Sequence, residues 1–486
     1  MKLDNTRAGA RHRALIPTLL ALTVLSLSAC ADLSGISPKA HLRDAASLGL
    51  PTTPTEDFRP NAQWWRDFDD EQLSRLIEQA LTANPSLKIV QARLARAQAG
   101  VDGTAAAAKP QLSANADATQ QLYSANGMVP APLGGSVSSS GTAQINGTWE
   151  LDFFGKNRAA LDAALGTVGA AQADAQAARI LLATQVARSY FQLVRLNEQL
   201  GVAQQQLVQR RQLLKLVQDR VNAGMDTRLE LLQAQGALPE AQLQMETLQE
   251  HLALAKHALQ AFIFKENTPL AILLPAQSAI NNIADVTHLP SDLLGRRADI
   301  AAARWRVEAA TRNVDLATSQ FYPNINLTAF AGFSSIGLDH LVSAGSQQWG
   351  VGPALHLPIF DAGRLRANLS GKTADLDAAI ESYNVAVIEA VHDVVDQLTS
   401  RQAIGRQQSE QQAALTYAES AHEIAVQRYE AGLGNYLQVL TAEAAVLHQR
   451  RQRVDLIARA IDTQLLLIRA VGGGYRAELP THTAQP

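Results

Sequence analysis

Two periodicities alternate along the chain. Over 143–153 every second position is apolar or small: Ile145, Gly147, Trp149, Leu151 and Phe153. Gln144, Asn146, Thr148, Glu150 and Asp152 stand between them. The same alternation runs through 325–333 (Ile325, Leu327, Ala329, Ala331, Phe333) and 349–359 (Trp349, Val351, Leu355, Leu357, Ile359), and more weakly through 111–122. A period of two gives a strand one apolar and one polar face, so four strands are expected. The second period is seven. It spaces Val186, Leu193, Leu200, Leu207, Leu214 and Val221, then Leu231, Leu238, Met245, Leu252 and Leu259, then Leu440, Leu447, Val454, Ile461 and Ile468. Heptads sustained this long specify coiled-coil packing. The helix expected over 364–430 is more polar, and its seam weakens after Leu398. A helix of ~65 residues is ~100 Å long, far more than a bilayer, which places the long helices in an aqueous compartment. Pro239 falls within the second seam and should kink that helix.

The pattern occurs twice. NPSLKIVQARLARAQAGVDGTAAAAKPQLSANA in the first half matches RRADIAAARWRVEAATRNVDLATSQFYPNINLTAF in the second, pairing Pro110 with Pro323, Leu87 with Ile300 and Val101 with Val314. LDFFGKNRA falls on LPIFDAGRL, and RVNAGMDTRLELLQA on RYEAGLGNYLQVLTA, at an offset of about 206–213 residues throughout. A tandem duplication follows, each copy built as helix, strand pair, long helix, tip and return helix. The expected organisation is a signal segment over 1–29, an N-terminal segment over 30–83, repeats over 84–290 and 291–475, and a tail over 476–486. The two turns, at Ala223-Gly224 and Ala431-Gly432, are equivalent and form the tips of two hairpins. Glycine permits the left-handed conformation such turns use.

A soluble sandwich is the commoner home for alternating strands. A membrane barrel is favoured here because the runs reach the ~9–11 residues a tilted strand needs to cross a bilayer. The connections YSANGMVPAPLGGSVSSSG and SSIGLDHLVSAGSQQ are rich in Gly and Ser, as long extracellular loops are. Trp149, Phe153, Phe154, Phe333, Trp349 and Phe360 lie near strand ends, where interfacial girdles form. Glu150 and Asp152 then belong in a wet interior or at the rim. Four strands cannot close a barrel in lipid, so the chain must oligomerise.

Composition adds an anchor and removes several function classes. Net charge is −3, with no basic cluster interleaved with aromatics, so no nucleic-acid partner is expected. The single cysteine, Cys30, follows a positive stretch (Lys2, Arg7, Arg11, Arg13) and the apolar run ALIPTLLALTVLSLSA. That is a secretory signal. Leu27-Ser28-Ala29-Cys30 matches a bacterial lipobox, which makes Cys30 the lipidation site; an ordinary signal cleaved near Ala29 is the plainer alternative. Ala31 rather than Asp follows, so the best-known inner-membrane retention signal is absent. Apart from covalent lipid, no cofactor is expected. No HExxH, phosphate loop or nucleophile elbow occurs, so no enzyme is expected. The eleven histidines are scattered, and His251, His257, His392 and His422 read as helix-surface residues rather than metal ligands.

WELDFFGKNR (149–158), LGRRADIAAA (294–303), NPSL (84–87), FYPNINL (321–327) and VGGGY (471–475) together resemble the signatures of the TolC-type outer-membrane efflux family, in its lipidated NodT/OprM subgroup. Ala298 stands where that family usually has Pro. The resemblance implies a mixed α/β membrane protein. Four transmembrane strands per protomer would complete a twelve-stranded barrel in a homotrimer, continuous with a long periplasmic α-helical barrel. It implies docking to a periplasmic adaptor and, through it, to an inner-membrane RND-type transporter. It also places a gate in RYEAGLGNYLQVLTAE: Arg428, Tyr429 and Asn435 resemble residues that tie neighbouring helices closed, and Leu437 a constricting apolar ring. Gln438 and Thr441 stand where Asp is found or usual in the family, and Ala444 where Arg is frequent, which argues against an Asp-mediated latch there. Gly224 and Gly432 would meet the adaptor.

The leading function is a passive outer-membrane exit duct for small molecules in a tripartite pump. Protein export through a type I system uses the same kind of channel, and a periplasmic coiled-coil lipoprotein without a pore is the reading from another class.

Overall fold

The computed structural model describes residues 33–43, 60–263 and 293–476. Cys30, the signal segment, most of the C-terminal tail and the stretch joining the halves lie outside the described residues. The element order is duplicated. The first half holds α1 (Glu71–Ala83), α2 (Pro85–Ala107), β1 (Gln111–Leu122), β2 (Val137–Leu151), α3 (Lys156–Asn222) and α4 (Arg228–Ile263). The second holds α5 (Leu293–Arg296), α6 (Ala298–Ser319), β3 (Asn324–Ile336), β4 (Gln347–His356), α7 (Arg364–Glu430) and α8 (Tyr436–Ala470). Contacts divide the chain into two compact units, one formed by 33–42, 94–171 and 303–383, the other by the remaining described residues.

The first unit contains a four-stranded antiparallel sheet in the order β1-β2-β3-β4. Its register settles the faces. Ala114 pairs with Ile145, Ile145 with Ala331 and Ala331 with Trp349. Gly147 pairs with Ala329, and Ala329 with Val351. Directly paired residues share a face, so the apolar positions of all four strands gather on one side. The other face is joined by side-chain amides: Asn146 donates to Asn115 at 2.6 Å, Gln144 to Asn146 at 2.9 Å and Gln348 to Gln144 at 2.8 Å.

The strand limits differ from the sequence expectation. β2 begins at Val137, taking up five residues assigned to a loop, because all of VSSSG pairs through its backbone with β1, and Ser140 and Gly141 with β3 as well, although its side chains do not alternate. β4 ends at His356, which leaves Ile359 and Phe360 outside the sheet and exposed. Trp149, Phe153 and Phe154 stand at the sheet end next to α3, where Phe154 stacks on Tyr322 with centroids 5.1 Å apart, whereas Phe333 and Trp349 stand toward the opposite end. Glu150 takes the Lys156 ammonium at 2.9 Å, and Asp152 accepts from the Arg158 N–H at 2.9 Å in the first turn of α3. Below the sheet, α3 and α6 approach closely at Gly169, where a Cβ would stand 2.6 Å from the Trp305 ring.

The N-terminal strap runs along α7: Arg366 Nη2 donates to the Ser34 carbonyl at 2.8 Å, and the N–H groups of Lys39 and Ala40 both reach Asp377 Oδ1, at 2.8 and 3.0 Å.

In the second unit, Trp64, Leu73 and Ile77 pack with Val186, Tyr190, Leu193, Leu259 and Leu465 in one apolar core. Ion pairs join α3 to α8 in antiparallel order: Arg188 with Asp462, Arg195 with Asp455 and Arg210 with Glu443. The first of these is 45% and 39% exposed, and such pairs contribute about 0–1 kcal/mol each. A buried Leu or Val contributes about 1.5–3 kcal/mol, so the apolar seam holds the helices while the charges select their register.

The heptads hold unevenly. Val186, Leu193, Leu200 and Leu207 are buried, as expected of α3. On α4 the buried positions before Leu259 are Ala234, Ala237 and Ala241, whereas Leu238, Met245 and Leu252 are only half-buried. Small side chains let backbones approach, and the larger ones are displaced to the edge of the groove. Pro239 lies inside α4 without ending it. On α7 the regular seam ends at Val394, beyond which the buried apolar residues are Ile404, Leu415 and Tyr429. No described helix is long and apolar enough to cross a membrane.

Candidate gate at the helix tips

The two tips have the same backbone. At the first, Gly224 N–H bonds to the Val221 carbonyl at 3.0 Å and Met225 N–H to the Arg220 carbonyl at 2.9 Å. At the second, Gly432 bonds to Tyr429 at 3.0 Å and Leu433 to Arg428 at 2.7 Å. This 5→2 and 6→1 pair is the Schellman ending of a helix, and it needs a left-handed residue at the turn. Gly224 has φ +72° and Gly432 φ +75°, with open space where a Cβ would stand, so conformation and not crowding demands glycine.

The return helices start on capping side chains. Thr227 begins α4, with its hydroxyl accepting from Leu229 N–H at 3.2 Å while Glu230 reaches back to the Thr227 N–H at 2.9 Å. This is a capping box written T-R-L-E in the sequence. Asn435 begins α8, its side chain accepting from Gln438 N–H at 3.0 Å.

A small core joins the tips. Val217 of α3, Ala234 of α4, Tyr429 of α7, and Tyr436 and Val439 of α8 are buried together. A polar latch stands on this core. Arg220 Nε donates to Asp226 Oδ2 at 2.9 Å, and Nη2 to Oδ1 at 3.3 Å. The Tyr429 hydroxyl also donates to Asp226 Oδ2. The Arg220 guanidinium stands 4.5 Å from the centroid of the Tyr429 ring, in cation–π range. Arg220 and Asp226 are only 8% and 10% exposed, so this pair is poorly screened. Burial alone would raise the Asp226 carboxyl; the hydrogen bonds from Arg220 and Tyr429 and the charge of Arg220 outweigh it and hold the group below its ordinary value. Burial and the bond to Asp226 raise the Tyr429 phenol, keeping it a donor. Burial with the charge of Glu443 pushes Tyr436 up to about 12.

Of the gate residues singled out in the sequence, Tyr429 bonds across to the other hairpin, at Asp226. Arg428 Nη2 bonds to the Leu433 carbonyl at 3.2 Å, inside its own turn. Asn435 caps its own helix, and the Thr441 hydroxyl bonds to the Leu437 carbonyl at 2.8 Å. Leu437 is 61% exposed, and Gln438 and Thr441 share its exposed side of α8. Asp226 and Arg220 went unremarked in the sequence. Arg220 aligns with Arg428 in the repeat, which was a usable signal; Asp226 aligns with Gly434 and offered none. His422, read from the sequence as a surface residue, is half-buried against a cavity. Among the described residues, no group of three or more His, Cys, Asp or Glu is placed to hold a metal ion.

A family described as outer membrane efflux protein matches residues 76–263 and 289–473. The multidrug resistance outer membrane protein MdtQ of Escherichia coli O6:H1 is 32% identical over 469 residues, covering 91% of this chain and 96% of that protein. The pyoverdine export outer membrane protein OpmQ of Pseudomonas putida is 29% identical, covering 96% of this chain and 99% of its own. Among solved structures, the outer membrane protein VceC of Vibrio cholerae superimposes with a TM-score of 0.77 at 35% identity, covering 86% of this chain and all of that one.

Proposed function

Because the chain belongs to the outer membrane efflux protein family, and is an outer-membrane efflux channel subunit, we propose that it works as a homotrimeric exit duct gated at its helix tips. The observation that carries closure with further copies is the sheet, and the resemblance to the family supplies the number three. Among the described residues its outer strands β1 and β4 each lack a neighbour on one side, and one face is apolar over most of its length, with Gln120, Ser139, Ser335 and Gln347 toward one end. Unpaired backbone is not tolerated in lipid, so each edge needs the opposite edge of another copy. Three copies make twelve strands, with the amide-lined face inward.

At the tips the latch keeps the two hairpins together, and Leu437, exposed on one protomer, forms the apolar constriction when three protomers converge. A ring of this kind blocks hydrated solutes by closeness and dewetting. Gly224 and Gly432 form the ends offered to a periplasmic adaptor, through which an inner-membrane RND-type transporter delivers small molecules. The names of MdtQ and OpmQ concern multidrug resistance and pyoverdine export respectively, which supports a duct whose selectivity lies mostly in its partners. Cys30 carries the lipid anchor. The strap supports this reading, since Ser34 sits beside Arg366 at the start of α7, directly after the sheet.

Reconstituted in planar bilayers, the purified protein is expected to give discrete channels that are mostly closed, with Leu437→Ala raising the closed-state leak. Absence of any pore would overturn the duct, and an unchanged leak would remove Leu437 from the gate.

A further inference from the structure

Farther along the hairpins from the latch, α3, α7 and α8 enclose a cavity of about 210 Å³, lined by Gln209, Glu419, His422, Glu443 and Arg450, with Val446 as an apolar wall. Its distinctive atom is an oxygen. The Glu443 side chain is only 7% exposed; Oε1 accepts from Arg210 Nε at 3.2 Å, and Oε2 is buried with no donor. Arg210 is otherwise committed. Its Nη1 holds the Ala237 carbonyl at 2.7 Å and Glu240 at 3.1 Å, and the Gln206 amide, turned to accept, takes Nη2 at 3.1 Å. Arg450 directs Nε and Nη2 to Glu419 Oε1, at 3.0 and 2.8 Å.

A buried ionised oxygen without a donor is costly, and a built cavity beside it can admit one. The remaining wall suits a donor-rich guest. Burial keeps His422 below its ordinary pKa, against the pull of Glu443 and with the help of Arg450, so its imidazole is neutral at neutral pH and has a lone pair to offer.

We propose that this cavity binds a small protonated amine, whose N–H groups satisfy Glu443 Oε2 and the acceptors around it while its short alkyl part lies against Val446. The site is separate from the latch and does not depend on the duct reading.

The test is calorimetric titration of the purified, detergent-solubilised protein with methylammonium, beside tetramethylammonium, which has the charge but no N–H donor. Saturable methylammonium binding is expected, at least about tenfold tighter than that of tetramethylammonium, and weakened at least about tenfold in Glu443→Gln. Gln209 is exposed, so Gln209→Trp should block the cavity mouth in a protein that still folds, and it should abolish binding even if Glu443→Gln fails to assemble. Equal binding of the two cations, unchanged binding in Gln209→Trp, or no saturable heat would each overturn the proposal.

Discussion

The two hairpins share a backbone and differ in chemistry. α3 and α7 are both 67 residues long, and α4 and α8 are 36 and 35. Both outgoing helices end in the same turn on a left-handed glycine. The side chains there have diverged into complementary roles. The first tip supplies a buried carboxylate and its guanidinium, Asp226 and Arg220; the second supplies the phenol of Tyr429 and an exposed apolar side chain, Leu437. A symmetric pair of tips would place like groups opposite each other. Divergence after duplication let one copy hold the charge and the other donate to it, so the hairpins are joined by a bond neither could make with its own kind.

Removing the charged half should break this asymmetry most. Asp226→Ala leaves Arg220 buried without its carboxylate, a loss on the order of 3–5 kcal/mol. Hydrogen exchange should quicken at both tips together, and closed-channel leak should rise. Acceleration confined to the first tip would show that the latch does not join the hairpins.

Acid is a gentler form of the same experiment. The folded-state pKa of Asp226 lies below its ordinary value, so its contribution is complete above the ordinary carboxylate range and is lost as pH falls through the lower, folded value. The wild-type tips should therefore loosen only below about pH 4, by the reference value of an Asp carboxyl. Asp226→Asn should lack that step; a step that persisted in the variant would belong to another carboxylate.

The backbone itself should be indifferent to the divergence. Gly224→Val and Gly432→Val each force a branched side chain into a left-handed turn, at about 1–2 kcal/mol apiece. Thermal unfolding should register the two as equal within error, since neither site has a neighbour to clash with. Unequal costs would mean that one turn carries a constraint the other lacks.

Tyr429→Phe is the smallest chemical change and isolates the donor. The ring stays over Arg220, and only the hydroxyl bond to the Asp226 carboxylate goes, at about 1.5–3 kcal/mol. A double-mutant cycle with Asp226→Ala should show that loss vanishing once the carboxylate is absent.

Much of this was legible in the residues. Alternation from Ile145 to Leu151 set a strand with its apolar side decided, because a period of two leaves each residue only one face. The matching A-G turns set two equivalent tips, because few residues other than glycine adopt positive φ freely. The resemblance carried by WELDFFGKNR and LGRRADIAAA pointed to the family to which the chain belongs. Less legible was the packing of α4, where the heptad leucines stood out while Ala234, Ala237 and Ala241 are buried more deeply than Leu238 and Leu252. Hydrophobic spacing measures apolar content, and burial depends on what faces it.

The candidate gate divides in the same way. Local sequence determined the periodic faces, the caps and the turns, since those depend on neighbours a few positions away. Only the tertiary structure brought Tyr429 to Asp226 across 203 residues, and only it put His422 and Glu443 beside one cavity. The physical reason is that a carboxylate on a polar helix is chemically the same in the sequence whether it meets water or a buried phenol. Its partner, its burial and hence its role are properties of the other helices that pack around it.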